Sequence, residues 1–231
     1  MPTDPARSVI TVGDGRGFVV TTRHVQLIRN QIGEWRSLKR ARRLIITAAH
    51  CLPHLPPCHG ASYTEERTYA NLIGPLGETP SVWTECLFAD PIADIAVLGE
   101  PDGQALFKEC EAYETLIEAT PALHMVDPKE NTGRSWLLSL NRQWISCEVE
   151  HNGGPWLIRN ASKPGIQGGM SGSPILNHNR SAVIGVVCLS VGTAPAKGHT
   201  EGGPNPRLAT DLPGWIAPRA ARVNAPALLM K

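Results

Sequence analysis

Residues 165 to 175 read Gly-Ile-Gln-Gly-Gly-Met-Ser-Gly-Ser-Pro-Ile, and they constrain the chain more than any other stretch. Glycines at 168, 169 and 172 open φ values that other residues avoid, so the backbone around Ser171 can turn tightly before it enters an apolar strand. Such a turn can aim the N–H groups of Gly169 and Ser171 at one point and stabilise an oxyanion there. A serine so placed becomes a nucleophile only with a base to take its proton and a carboxylate to orient that base. The chain must therefore bring a histidine and an acid to this turn from elsewhere.

Both are found upstream. Leu44 to Cys51 reads Leu-Ile-Ile-Thr-Ala-Ala-His-Cys, an apolar strand that runs out at a corner of small residues and delivers His50. Ala89 to Leu98 reads Ala-Asp-Pro-Ile-Ala-Asp-Ile-Ala-Val-Leu, where Asp94 enters a buried strand and so needs a polar partner. Each motif alone has an ordinary reading, as a turn, a strand end or a strand start. Their combination carries the argument.

In the chain order His50, Asp94, Ser171, the three resemble the chymotrypsin-like (trypsin-fold) serine proteases. Gly15-Arg16-Gly17-Phe18-Val19-Val20, followed by a strand into His50, is similar to the bacterial HtrA-type and glutamyl-endopeptidase-like branches of that family. The resemblance runs over nearly the whole chain. It implies an all-β fold of two six-stranded antiparallel β-barrels, with the active site in the cleft between them and a short C-terminal helix. Residues 1–103 would form the N-terminal barrel with His50 and Asp94, 104–120 a connector, 121–218 the C-terminal barrel with Ser171, and 219–231 a tail. It also implies a serine endopeptidase working through an acyl-enzyme. Ser171 would attack, His50 would act as base and acid, Asp94 would orient His50, and the N–H groups of Gly169 and Ser171 would form the oxyanion hole.

The resemblance further implies a substrate cleft made by Gly165, Ile166, Gln167 and Gly168 on one side and Ser190, Val191 and Gly192 on the other. The floor residues Gly165 and Ile166 are uncharged, which points to cleavage after small or aliphatic residues, with His199 within reach of the pocket wall. Met170 stands where trypsin-like zymogens carry the acid that pairs with a new N-terminus, so no N-terminal cleavage is expected. The same fold hosts catalytically silent binding modules, and the same triad serves esterase-like hydrolases. Both are the alternatives to a protease.

Composition agrees. The 22 glycines and 20 prolines are scattered along the 231 residues, which suits many short strands and disfavours a helical bundle. A net charge of +1 gives no reason to expect a nucleic-acid partner, and no apolar run approaches the roughly 20 residues of a membrane span. The partner expected is a protein or peptide substrate. The six cysteines do not match the disulfide framework of the secreted relatives, since none precedes Cys51 and Gln167 occupies the position four before Ser171. With no leader-like segment at Met1 to Arg7, this favours a cytoplasmic setting. His50, Cys51, His54, Cys58 and His59 lie close enough for a metal test, but three prolines stiffen the segment and a metal on His50 would disable the base. No metal and no cofactor are expected.

In order along the chain, strands are expected in Val9 to Val20, around Gly13 to Gly17, and again before His50. Between them Arg23, Arg29, Arg36, Lys39, Arg40, Arg42 and Arg43 stand against Glu34 alone, a segment (23–43) that reads as a solvated surface insertion, as a docking surface for an acidic regulatory partner or domain, or as a protease-sensitive loop. Further strands are expected at Tyr69 to Leu76, Val82 to Phe88 and Ala93 to Leu98, then an amphipathic helix or connector at Gln104 to Ala119. Ser135 to Leu140, Gln143 to Glu150, Trp156 to Arg159 and Val183 to Cys188 complete the strands, with a hairpin turn at Asn152-Gly153-Gly154, and Asp211 to Ile216 should start the closing helix.

Overall fold

A computed structural model describes residues 4–29, 35–57, 64–103, 105–126, 133–150, 156–188 and 208–211. After a 3-10 turn at Pro5–Ser8, six strands follow: β1 (Val9–Val12), β2 (Gly15–Arg29), β3 (Trp35–Thr47), β4 (Thr68–Pro75), β5 (Val82–Asp90) and β6 (Ile95–Gly99). Helix α1 (Phe107–Ala119) leads to β7 (Gly133–Leu138), β8 (Trp144–Glu150), β9 (Trp156–Arg159), β10 (Pro174–Leu176), β11 (Val183–Val187) and β12 (Leu208–Asp211). Every strand pairing is antiparallel, and each set of six closes on itself in the same relative order, β1-β2-β3-β6-β5-β4 and β7-β8-β9-β12-β11-β10. The two barrels thus repeat one topology.

Successive residues of a strand face opposite ways, and three strands of the second barrel use both faces. Leu137, Ile175, Ile184 and Val187 enter that barrel's own core with Ile145, Val149, Trp156, Ile158 and Met170. Their neighbours Leu138, Leu176, Val183 and Val186 join the core of the first barrel instead, among Phe18, Ile46, Ile73 and Leu98. This is why 183–187 reads as an unbroken apolar run: no face of β11 meets water. The segment after α1 stitches the barrels further, with the Leu123 N–H donating to Val19 (2.8 Å) and Val183 to His124 (2.8 Å).

Two expectations need correction. The basic stretch 23–43 is strand rather than loop over its described part, because β2 and β3 stay paired from Gly17↔Thr47 out to Arg29↔Trp35. Arg43 has a local duty there: its guanidinium donates to the carbonyls of Ile117 (2.7 Å), Glu118 (3.1 Å) and Thr120 (3.1 Å), satisfying the acceptors left over at the end of α1. Asp211 ends a strand, β12, that pairs with β9 and β11 and closes the second barrel. The four residues Leu-Ala-Thr-Asp are too short and too mixed to announce a strand by pattern. The expected closing helix beyond Asp211, the tail, and the turn at Asn152–Gly154 lie outside the described residues.

Among the described residues no helix is long and apolar enough to cross a membrane. Ile73 is fully enclosed in the first core. Trimming it should cost about 0.5–1.5 kcal/mol as Ile73→Val and about 2–5 kcal/mol as Ile73→Ala, read as a falling urea midpoint with an unchanged denaturant slope.

Candidate active site

The strand β3 ends at Thr47, and a 3-10 turn over Ala49–Cys51 lifts His50 out of the core into partial exposure. Asp94 approaches from the loop before β6. That loop is set by Asp90, whose carboxylate accepts from the N–H groups of Ile92 (2.9 Å) and Ala93 (3.0 Å), and Asp94 itself sits at φ +51. Its carboxylate meets His50 twice: Oδ2 lies 2.7 Å from Nδ1, and Oδ1 accepts the His50 backbone N–H at 3.0 Å. An ionised carboxylate only accepts, so Nδ1 carries a proton, and in the neutral imidazole that leaves the lone pair on Nε2. The second barrel reaches the same aspartate from behind, where the Cys188 thiol donates to the Asp94 carbonyl (3.4 Å).

Ser171 is delivered by the turn between Gln167 and β10. Its carbonyl accepts the N–H of Arg16 at 2.7 Å, and the Thr47 hydroxyl donates to the Arg16 carbonyl at 2.7 Å. Gly172 therefore lies flat on the first barrel: a Cβ there, at φ +79, would stand 1.8 Å from the Arg16 oxygen and 2.6 Å from Thr47 Oγ1. A Cβ on Gly15 would meet Cys51 Sγ at 2.6 Å and the Ser171 carbonyl oxygen at 2.8 Å. The neighbour of His50 and the carbonyl of Ser171 thus flank one glycine, and Thr47, three residues ahead of His50, touches the turn that carries Ser171.

The amide groups of the turn alternate in use. Met170 donates to Gln167 (3.2 Å), Gly172 to Val187 (2.8 Å) and Ser173 to Met170 (3.0 Å), whereas the N–H groups of Gly169 and Ser171 make no backbone hydrogen bond among the described residues. Gly169 has φ +85, a value that favours glycine and turns its peptide away from the strand direction. Beside it an open cavity of about 240 Å³ lies between Asp14, Gly15 and Arg16 on one wall and Leu140 and Arg142 on the other. Met170 is wholly buried, and its sulfur accepts the Gln167 N–H at 3.3 Å.

His50 and Asp94 are therefore in direct contact, and Ser171, with Gly168 and Gly169 on its turn, is set against the first barrel through Gly15, Arg16 and Thr47. Gly165 (φ +82) and Ile166, which packs on the second core, precede that turn. Ser190, Val191, Gly192 and His199 lie outside the described residues, as do Cys58 and His59 of the metal test. Sequence reasoning missed Arg16, Thr47 and Cys188 as parts of the site. Arg16 is buried, and its guanidinium donates to the carbonyls of Leu138 (2.8 Å) and Ser139 (3.0 Å) in the second barrel. A lone arginine between two glycines carries no sequence signal for such a tie. No family model matches this chain, and no curated protein matches it.

The five described cysteines, Cys51, Cys86, Cys110, Cys147 and Cys188, are free thiols. Burial pushes Cys51 up from 9.0 to about 11, with the charge of Asp94 adding to the effect, and pushes Cys86 and Cys147 up to about 12. A raised folded value means the folded state favours the protonated thiol, so this stability is complete below pH 9 and is lost as pH climbs through 11. The urea midpoint should hold level up to pH 9 and then fall, less steeply in Cys51→Ala. Alkylation of native Cys51 by iodoacetamide should be negligible at pH 8 and rise towards pH 11.

Proposed function

We propose that this chain is a serine endopeptidase that hydrolyses peptide bonds through an acyl-enzyme. The observation that carries the reading is the double contact of Asp94 with His50, to Nδ1 at 2.7 Å and to the backbone N–H at 3.0 Å, beside a glycine turn bearing a serine. That contact holds the imidazole in the tautomer a base needs. In the proposed reaction Ser171 Oγ attacks the scissile carbonyl while His50 Nε2 takes its proton. The carbonyl oxygen, now negative, is met by the N–H groups of Gly169 and Ser171. His50 then passes the proton to the leaving amine, and water repeats the cycle on the ester.

An esterase would use the same groups, so substrate choice rests on the cleft. The uncharged Gly165 and Ile166 favour a small or aliphatic side chain before the cut, since a buried charge would find no partner there. Met170, apolar and buried, supports activity without N-terminal cleavage. Free thiols at the described cysteines support a reducing, cytoplasmic setting, and the paired basic strands at 23–29 and 35–43 support docking of an acidic regulatory partner.

A fluorophosphonate probe should label Ser171 of the intact chain and fail on Ser171→Ala. Ser171→Ala and His50→Ala should each lower peptide turnover by about 10⁴-fold or more, with little further loss when combined, and Asp94→Asn by about 10⁴-fold with the fold intact. Near wild-type hydrolysis by Ser171→Ala would remove the assignment. A peptide library should return Ala, Val or Leu before the cut; a profile dominated by Arg, Lys or Glu would sink the specificity reading.

A further inference from the structure

A cavity beside α1 shares no lining residue with the cavity at the candidate active site. It is open, about 520 Å³, and its walls include Arg42, Arg43, Glu100, Tyr113 and Glu114. We propose that beside it a zinc-type divalent metal ion is bound by Glu100, Cys110 and Glu114, of which Glu100 and Glu114 also line the cavity, and clamps the connecting helix to the end of β6.

Three observations meet there. Glu100 follows the last residue of β6, and Cys110 and Glu114 stand four apart on α1, so one turn of helix presents a sulfur and a carboxylate to the same spot. Their donor atoms and that of Glu100 all lie within 4.8 Å of one another. The Cys110 thiol donates to Glu100 Oε1 at 2.8 Å, while Arg42 approaches Oε2 of the same carboxylate only to 3.7 Å. The cluster thus gathers three groups that a dication would satisfy.

The second, independent sign is Tyr113. It shares the helix face with Cys110 and Glu114, it is 3% exposed, and its hydroxyl has no hydrogen-bond partner among the described residues. It lines the same cavity as Glu100 and Glu114, and the charges of Arg42 and Glu100 act on its hydroxyl. A buried hydroxyl without a partner is costly and rare, and a water in the fourth position of a bound metal would supply that partner.

The donor set selects the ion. A thiolate with two carboxylates suits zinc or another borderline-soft dication, whereas calcium and magnesium call for oxygen alone. Zinc takes sulfur at about 2.3 Å and carboxylate oxygen at about 2.0–2.2 Å in a tetrahedron, so Cys110 and Glu100 part as the thiol proton leaves, while the exposed Glu114 side chain closes in. Binding requires the thiolate, so the Cys110 proton leaves to solvent as the metal–sulfur bond forms.

The test titrates the full chain, stripped with chelator, with Co²⁺ as a spectroscopic stand-in and then with Zn²⁺. One equivalent of Co²⁺ should raise a thiolate-to-metal absorption band that Zn²⁺ bleaches, with release of one proton per ion. The band should vanish in Cys110→Ser and persist in Cys51→Ser and Cys58→Ser, which separates this site from the histidine-rich segment after His50. Glu100→Gln and Glu114→Gln should weaken binding at least tenfold, and Tyr113→Phe by about tenfold. Absence of the band at millimolar Co²⁺, or its survival in Cys110→Ser, overturns the proposal. Should Cys110→Ser fail to fold, Glu114→Gln at an exposed position decides in its place, unchanged affinity there counting against the site.

Discussion

Gly172 lies against the Arg16 carbonyl so closely that a methyl group in place of its hydrogen would stand 1.8 Å from the oxygen. The rest of the site follows from that contact. With no side chain in the way, the serine turn can sit on the start of β2, the Arg16 N–H can reach the Ser171 carbonyl, and Thr47 can hold the Arg16 carbonyl from the other side. The seam is therefore fixed between backbones. Backbone contacts have few conformers to choose among, so the turn's position does not depend on a long side chain finding its rotamer.

Arg16 extends the seam in a second direction. Among the described residues its buried guanidinium meets no carboxylate, which would be prohibitive for an unsolvated charge, and the Leu138 and Ser139 carbonyls take over the role of water. Burial first, and the nearby Arg142 second, lower its pKa. Arg142 in turn donates to the Leu76 carbonyl of the first barrel, so the two arginines cross-link the barrels in opposite senses. Both span the walls of the cavity beside Gly169. The cost of burying these cations is set against geometry at the site.

How much of this was legible depends on whether a feature is local. The strand before His50, the Asp94 strand and the glycine turn are each written in consecutive residues, so pattern and composition found them. Residues 156–159 and the helix around Tyr113 and Ile117 were legible for the same reason, one from β-branched and aromatic content, the other from helical spacing. The β2–β3 ribbon was not, because basic residues mark solvent exposure and say nothing of pairing; only the register with the partner strand makes that stretch regular. The two-faced use of β7, β10 and β11 was also invisible, since a strand buried on both sides loses the alternation by which strands are read. Arg16 and Cys188 act over 122 and 94 residues of chain, and no local signal encodes such a contact.

The serine turn carries its own support, which bears on how the proposed enzyme would be controlled. Met170 is sealed in the second core and its sulfur takes the Gln167 N–H, so one side chain both anchors the turn and satisfies a donor within it. Gly172 and Ser173 are tied to β11 through Val187, which accepts from one (2.8 Å) and donates to the other (3.0 Å). The residues flanking Gly169 and Ser171 are thus held from both barrels while those two N–H groups make no backbone bond among the described residues. Apolar burial and backbone pairing order this turn. In the proposed enzyme, control would then act on access to the cleft or on the loops that reach it, rather than on forming the turn through a new charged terminus.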